Sequence, residues 1–249
     1  MLRYTLFFYF MVIAILPIAR SAVVNPKPTT CAAVRSIYHV SQNGYFTLHD
    51  STNKPYLAFC DFQSDPGFAW TLIESLSRTN AATTTFRKSF YYNVPSNECT
   101  PNWSNYRLSK AKMSALKQAA SSTHFRATCN FDNQNEKGLA NRRDYIRVSF
   151  CAYNSFFSAR NAWICAVVDY INIRGYSCSK CNIPFYSYSN YHLFVDLPQA
   201  KVSCGRFNVP DVKSGEDIFG NYVHYHPKFS CTMNSTSTTN WWIGGAFYD

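Results

Sequence analysis

Between Tyr56 and Leu76 the hydrophobic positions first alternate and then run together. Tyr56, Ala58, Cys60 and Phe62 fall on one face of an extended segment, and Leu57, Phe59 and Asp61 fall on the other, as the two-residue strand period requires. Gln63-Ser64-Asp65-Pro66-Gly67 then reads as a turn, because Pro presets one backbone angle and Gly accepts a positive one. Phe68 to Leu76 is apolar on both faces, the pattern of an interior strand. The two runs and their turn predict a hairpin. Upstream, Asn43-Gly44 is a tight-turn signal and Tyr45–Leu48 a short strand.

Only one segment reads clearly as a helix, residues 108–120, LSKAKMSALKQAA. Ser109 is the expected cap, Leu108 can staple onto Met113, and Met113, Leu116 and Ala120 form the expected inward stripe. Lys110 and Lys112 oppose the positive helix N-terminus, so packing must hold this helix. Four later segments, 144–153, 163–174, 185–197 and 221–231, are rich in aromatic and β-branched residues and read as strands and loops. The expected class is α+β: a β-rich domain with few short helices.

The N-terminus changes the compartment. Arg3 precedes an apolar stretch from Thr5 to Ile18, and Ala19-Arg20-Ser21 offers a small-residue cleavage site. Residues 1–21 are therefore expected to be a signal peptide, too short in its apolar part for a span, which favours ~20 apolar residues. Residues 22–30 read as a linker with two prolines, and residues 31–249 as one domain without repeats. All ten cysteines lie in that domain, an even number that allows up to five disulfides without revealing how they pair. Asn102-Trp103-Ser104 and Asn234-Ser235-Thr236 are glycosylation sequons, giving Asn102 and Asn234 as candidate acceptors. The formal charge of +10 falls to about +8 without Arg3 and Arg20. A basic surface of that size can attract sulfated glycans, anionic lipids or acidic matrix proteins. The compartment makes nucleic acid an unsuitable partner.

Candidate chemistry is sparse. Asp61 has no second acid at a suggestive spacing and reads as a backbone hydrogen-bond acceptor that fixes the hairpin. Cys178-Ser179-Lys180-Cys181 has redox spacing, with Lys180 placed to lower a thiol pKa, but it lacks a strand-to-helix context, which favours a structural disulfide. His224-Tyr225-His226 would put two imidazoles on one strand face, more fitting for a solvated edge than for a metal. Tyr186, Tyr188 and Tyr191 could stack on sugar rings if they are exposed. No motif nominates a nucleophile with its base, so the sequence assigns no catalytic residue, metal ligand or cofactor.

Cys31, then NGYFTL, YLAFCDF, a Gly turn and WTLI together resemble the start of a fibrinogen C-terminal-like domain. NYRLSKAKMSALKQ and HFRATCNF extend the resemblance to residues 31–131. It implies a disulfide between Cys31 and Cys60. Two departures limit what carries over. Gly67-Phe68-Ala69-Trp70 stands where the family has Gly-Gly-Gly-Trp, and only Glu216 and Asp217 stand near the position of the family's calcium loop. Calcium and its associated acetyl-group pocket are therefore not expected. DPGFAWTLIESLS, PNWSNYRLS, YINIRGYSCSKC and TTNWWIGG resemble cnidarian secreted fibrinogen-like proteins, including skeletal organic matrix proteins of corals. The resemblance implies an extracellular matrix setting and no particular molecular activity; with no catalytic set in the sequence, the leading expectation is a secreted, non-enzymatic matrix protein acting through adhesion or assembly. Its expected partners are matrix proteins or glycans. A calcium-independent lectin or immune-recognition protein is the alternative.

Overall fold

The alternation around Tyr56 becomes the second strand of a large antiparallel sheet. In the computed structural model, which describes residues 27–133, 144–205 and 207–247, α1 (Cys31–Tyr38) is followed by β1 (Gly44–His49), β2 (Pro55–Asp61) and β3 (Phe68–Ser77). The expected signal peptide and residues 22–26 of the expected linker lie outside the described residues. Two short helices, α2 (Arg78–Ala81) and α3 (Thr84–Arg87), lead to β4 (Asn105–Arg107), α4 (Lys110–Gln118), β5 (His124–Cys129) and β6 (Tyr145–Ser149). The second half contains β7 (Ala162–Val167), β8 (Tyr170–Ile173), β9 (Tyr176–Ser179), β10 (Asn182–Tyr188) and β11 (Tyr191–Asp196). It ends with α5 (Leu197–Val202), β12 (Asp217–Ile218) and β13 (Thr238–Ala246).

Nine of the described strands form one sheet in the order β1-β2-β3-β13-β5-β6-β8-β9, with β4 paired to β3. The other four form a second sheet, β12-β11-β10-β7. The last strand of the chain therefore sits at the centre of the large sheet, antiparallel to both β3 and β5. Its two adjacent tryptophans project to opposite faces, and both are fully buried. Trp241 meets Phe90, Phe125, Phe156 and His192, while Trp242 meets Phe59, Trp103 and Phe131. Gly244 and Gly245 follow because a side chain at either would run into a neighbouring carbonyl, that of Ala69 or Ser121. The interior reading of β3 agrees with its burial on both faces. Its hairpin with β2 is closed by only two pairs, Cys60–Thr71 and Asp61–Trp70, and most of β2 pairs with β1 instead.

Local expectations needed four corrections. The first is α1, which the sequence reading missed: Thr30 caps it, its side chain accepting from the Ala33 N–H at 3.1 Å. In α4, Ser109 occupies the cap position without a side-chain cap bond. Distant residues take over: Glu98 accepts from the Ser109 N–H at 2.8 Å and Asn93 from the Lys110 N–H at 2.9 Å. Glu98 also pairs with Lys112 at 3.3 Å, which answers the charge conflict at that helix end. Met113 and Leu116 are buried, but Ala120 lies beyond the helix and is exposed. The segment 221–231 is a loop with one isolated bridge and a short 3-10 turn rather than a strand. The segment 163–174 splits, sending β7 to the second sheet and β8 to the first.

Four disulfides staple this arrangement: Cys31–Cys60, Cys129–Cys231, Cys165–Cys204 and Cys178–Cys181. Cys99 and Cys151 are exposed free thiols, so the number is four and not the five that the count allowed. Among the described residues no helix is long and apolar enough to cross a membrane.

Candidate functional site

The charged residues at the centre of the large sheet, Asp61, Glu74, Arg107 and Arg126, are buried. Asp61 has no exposure, and its Oδ1 accepts from the backbone N–H groups of Gln63 and Ser64, both at 3.0 Å. Its Oδ2 meets the Arg126 guanidinium at 2.5 Å. Arg126 is itself flanked by Trp70 and Trp242, each ring centroid 4.6 Å away. Burial pushes the Asp61 carboxyl up, but Arg126 and Ser64 outweigh it and hold the group below its usual range. Asp65 extends the network to the Tyr145 hydroxyl at 2.6 Å and to Arg147 at 3.0 Å. This is a clamp, buried at Asp61, Asp65 and Arg126, that joins the β2–β3 turn to β5 and β6.

A second sealed cluster joins the two sheets. Glu74 on β3 lies 3.0 Å from Arg107 on β4 and 2.7 Å from His192 on β11, and none of the three is exposed. Arg107 also donates to the carbonyls of Lys88 and Ser89, both at 2.8 Å. These contacts fix the backbone of residues 88 and 89 against β4.

The outer face of the second sheet is different. Along β10, Ile183 and Phe185 point into the core, while Tyr186 and Tyr188 point out. Opposite them β11 carries one extra residue between Phe194 and Tyr191, a β-bulge. The bulge lets His192 and Leu193 both be buried and returns Tyr191 to the outer face beside Tyr188. The pairings Trp163–Tyr186 and Tyr186–Phe194 carry the aromatic row across three strands. Ring centroids lie 5.6 Å apart for Trp163–Tyr186, 5.3 Å for Tyr186–Phe194 and 6.3 Å for Tyr188–Tyr191. Trp163 is 54% exposed and Tyr188 37%.

Polar groups fix this row. The Trp163 indole N–H donates to Asp196 Oδ2 at 2.9 Å, and Tyr186 is hydrogen-bonded to Asn161. Asp196 also caps α5, accepting from the Gln199 N–H at 2.9 Å. Its cross-strand neighbour is Asp217, which accepts from the Asn221 amide at 2.7 Å. Burial first, and then the nearby Asp196 charge, push the Asp217 carboxyl up to about 7. A strip of contacting rings, exposed at Trp163 and Tyr188 and edged by amides and carboxylates, suits stacking on pyranose faces with hydrogen bonds at their rims.

Of the tyrosines singled out from sequence, Tyr186, Tyr188 and Tyr191 do come together on this face. The sequence reading missed Trp163, although its alternation within WICAV was a usable signal, and it missed the buried Phe194, which the β11 bulge sets beside Tyr186. The remaining candidates separate. Cys178 and Cys181 are bonded to each other, and Lys180 reaches Asp169 instead of a thiol. His224 is exposed while His226 is buried, its Nδ1 accepting from the Lys228 N–H at 3.1 Å, so the two imidazoles share no face. Glu216 is held by Arg174. Among the described residues no three His, Cys, Asp or Glu side chains converge as a metal site would require. Asn102 is half-buried and its amide donates to the carbonyls of Thr100 and Asn105, at 3.2 and 3.0 Å. Asn234 is exposed, and only its oxygen is engaged, in a turn with Thr236 and Ser237.

Searches of the protein-family models and of the curated proteins find no match to this chain.

Proposed function

We propose that this chain is a secreted, non-enzymatic matrix protein that adheres to glycans through the outer face of its second sheet, without calcium. The observation that carries the reading is the row Trp163–Tyr186–Tyr188–Tyr191, exposed at Trp163 and Tyr188 and half-buried at Tyr186 and Tyr191, held in place by Asn161 and Asp196. Contiguous exposed aromatic patches mark binding sites more often than singly exposed rings do. The Asp61–Arg126 and Glu74–Arg107–His192 clusters are buried and so offer no such surface. The four disulfides suit an oxidising, extracellular setting.

The fibrinogen-like resemblance of residues 31–131 belongs to this proposal, as does its setting in a skeletal organic matrix. The Cys31–Cys60 bridge and the interior strand β3 are consistent with it. The same aromatic face also favours a second reading, a soluble calcium-independent lectin of recognition or immunity. The residence of the native protein, insoluble matrix or body fluid, separates the two. The test of the shared core is a glycan array probed with the mature chain in the presence of a calcium chelator. Discrete binding that Trp163→Ala abolishes is the expected result. An array without binding, or binding only with calcium, would overturn the reading.

A further inference from the structure

We infer that the glycan this face takes is a sulfated one, its sulfate seated in a basic cleft beside the aromatic row. The inference rests on the glycan-binding reading above and adds the ligand class. Two adjoining cavities, of about 140 and 220 Å³, open along α2 and α3 and share Arg87 as a wall. Arg78 lines the first, Lys88 and Asn190 line the second, and no carboxylate lines either.

No carboxylate is paired with these cations among the described residues. Arg107, Arg126, Arg147, Arg174, Lys112 and Lys180 are each paired with a carboxylate. The Arg87 guanidinium is exposed and has no partner among the described residues. Arg78 and Lys88 are oriented by neutral groups only. Arg78 donates to the Thr232 carbonyl at 3.0 Å and lies over Tyr225, and Lys88 donates to the Asn190 amide oxygen at 2.7 Å. Positively charged donors thus converge on one concave strip, preset and unneutralised. An anion there would gain charge-assisted hydrogen bonds, which are stronger than neutral ones. A guanidinium beside an ammonium suits the three terminal oxygens of a sulfate ester.

The cleft adjoins the aromatic row. Asn190, which holds Lys88, lies in the two-residue connection between Tyr188 on β10 and Tyr191 on β11. Asn221, at the far end of the first cavity, holds Asp217 at the other end of β11. One oligosaccharide can therefore lay rings on Tyr188 and Tyr191 and direct a sulfate toward Arg87 and Lys88.

The test uses the mature chain with four probes: a heparin-derived octasaccharide, a hyaluronan octasaccharide carrying carboxylates alone, a neutral chito-oligosaccharide and inorganic sulfate. The wild type is expected to bind the heparin probe at least tenfold tighter than the others, with affinity falling as salt rises. R87Q/K88Q should lose that preference while keeping the neutral probe and an unchanged thermal midpoint, and Trp163→Ala should weaken both oligosaccharides. Equal affinity for the sulfated and neutral probes would overturn the sulfate assignment and leave the glycan reading standing. So would a preference that R87Q/K88Q leaves intact, or hyaluronan binding as tightly as heparin. Failure of every oligosaccharide to bind would overturn both.

Discussion

Two regions of this molecule use the same side chains to opposite ends. At the centre of the large sheet Arg126 lies between Trp70 and Trp242 and is bonded to Asp61, and none of the four is exposed. On the outer face of the second sheet Trp163 bonds Asp196 and stacks near Tyr186, with more than half of the indole open to water. Indole, carboxylate and close ring contacts occur in both places. What differs is burial: the central strand β13 and its neighbour β3 are buried on both faces, while the outer positions Trp163 on β7 and Tyr188 on β10 are open to water. Buried, these groups fix geometry; exposed, they can meet a ligand.

The comparison should break most severely at the sealed end. Arg126→Met leaves the Asp61 carboxylate buried without its partner, a change that costs about 3–5 kcal/mol in such settings. Urea denaturation of the secreted variant, or its failure to be secreted, measures this. The double variant Asp61→Asn/Arg126→Met should recover part of the loss, because neither charge is then stranded.

Next in size is the Cys31–Cys60 bridge, which joins the start of α1 to the end of β2 across a sequence separation of 29. The chain-entropy relation gives roughly 3.6 kcal/mol for a loop of this length, an upper-end value. Replacing both cysteines by Ala should lower the thermal midpoint and the secreted yield, with most β-structure kept by circular dichroism. Non-reducing peptide mapping should return the 31–60 linkage, and any other partner for Cys31 would contradict it.

Asp217 supplies a smaller, pH-dependent effect at the exposed end. Its carboxyl is pushed up to about 7 by burial and by Asp196, so the folded state holds its proton more tightly than the unfolded chain does. The resulting stability is fully present below the ordinary carboxylate range. It is lost as pH rises through about 7, where the ionised group must remain partly buried. Between pH 5 and 8 the loss should be on the order of 1–2 kcal/mol, after allowing for partial exposure. Denaturation midpoints of D217N, compared with wild type across that range, should lack this decline.

The smallest stability change should come from the exposed row itself. Trp163→Ala removes a largely solvated side chain and should shift stability by no more than about 1 kcal/mol. Mass spectrometry of the native protein should find Asn234 glycosylated in preference to Asn102, whose amide hydrogens are already engaged.

Much of the N-terminal half could be read locally. The run 56–76 carries its own strand period and turn, and Asp61, read as a geometric residue, holds the turn through two backbone N–H groups. α1 escaped notice because its cap, Thr30, follows a proline-containing lead-in and its eight residues are too short for a clear period. The caps of α4 were not legible because Asn93 and Glu98 arrive from a separate loop. The central place of β13 depends on pairing across the length of the chain, and nothing local in TTNWWIGGA specifies β3 and β5 as its neighbours. For the candidate face, the tyrosines were visible in alternation. Their exposure and their union with Trp163 depend on the β11 bulge and on sheet order, which alternation alone does not encode.

The tryptophans report on both regions at once, so their indole N–H resonances offer the most direct test. The mature chain would be titrated with the heparin-derived octasaccharide in the presence of a calcium chelator. The account predicts that the Trp163 resonance shifts in a saturable way, while those of the fully buried Trp70, Trp241 and Trp242 stay fixed. A Trp163 signal that does not move, while the chain demonstrably binds the octasaccharide, would contradict the assignment of recognition to the second sheet's outer face.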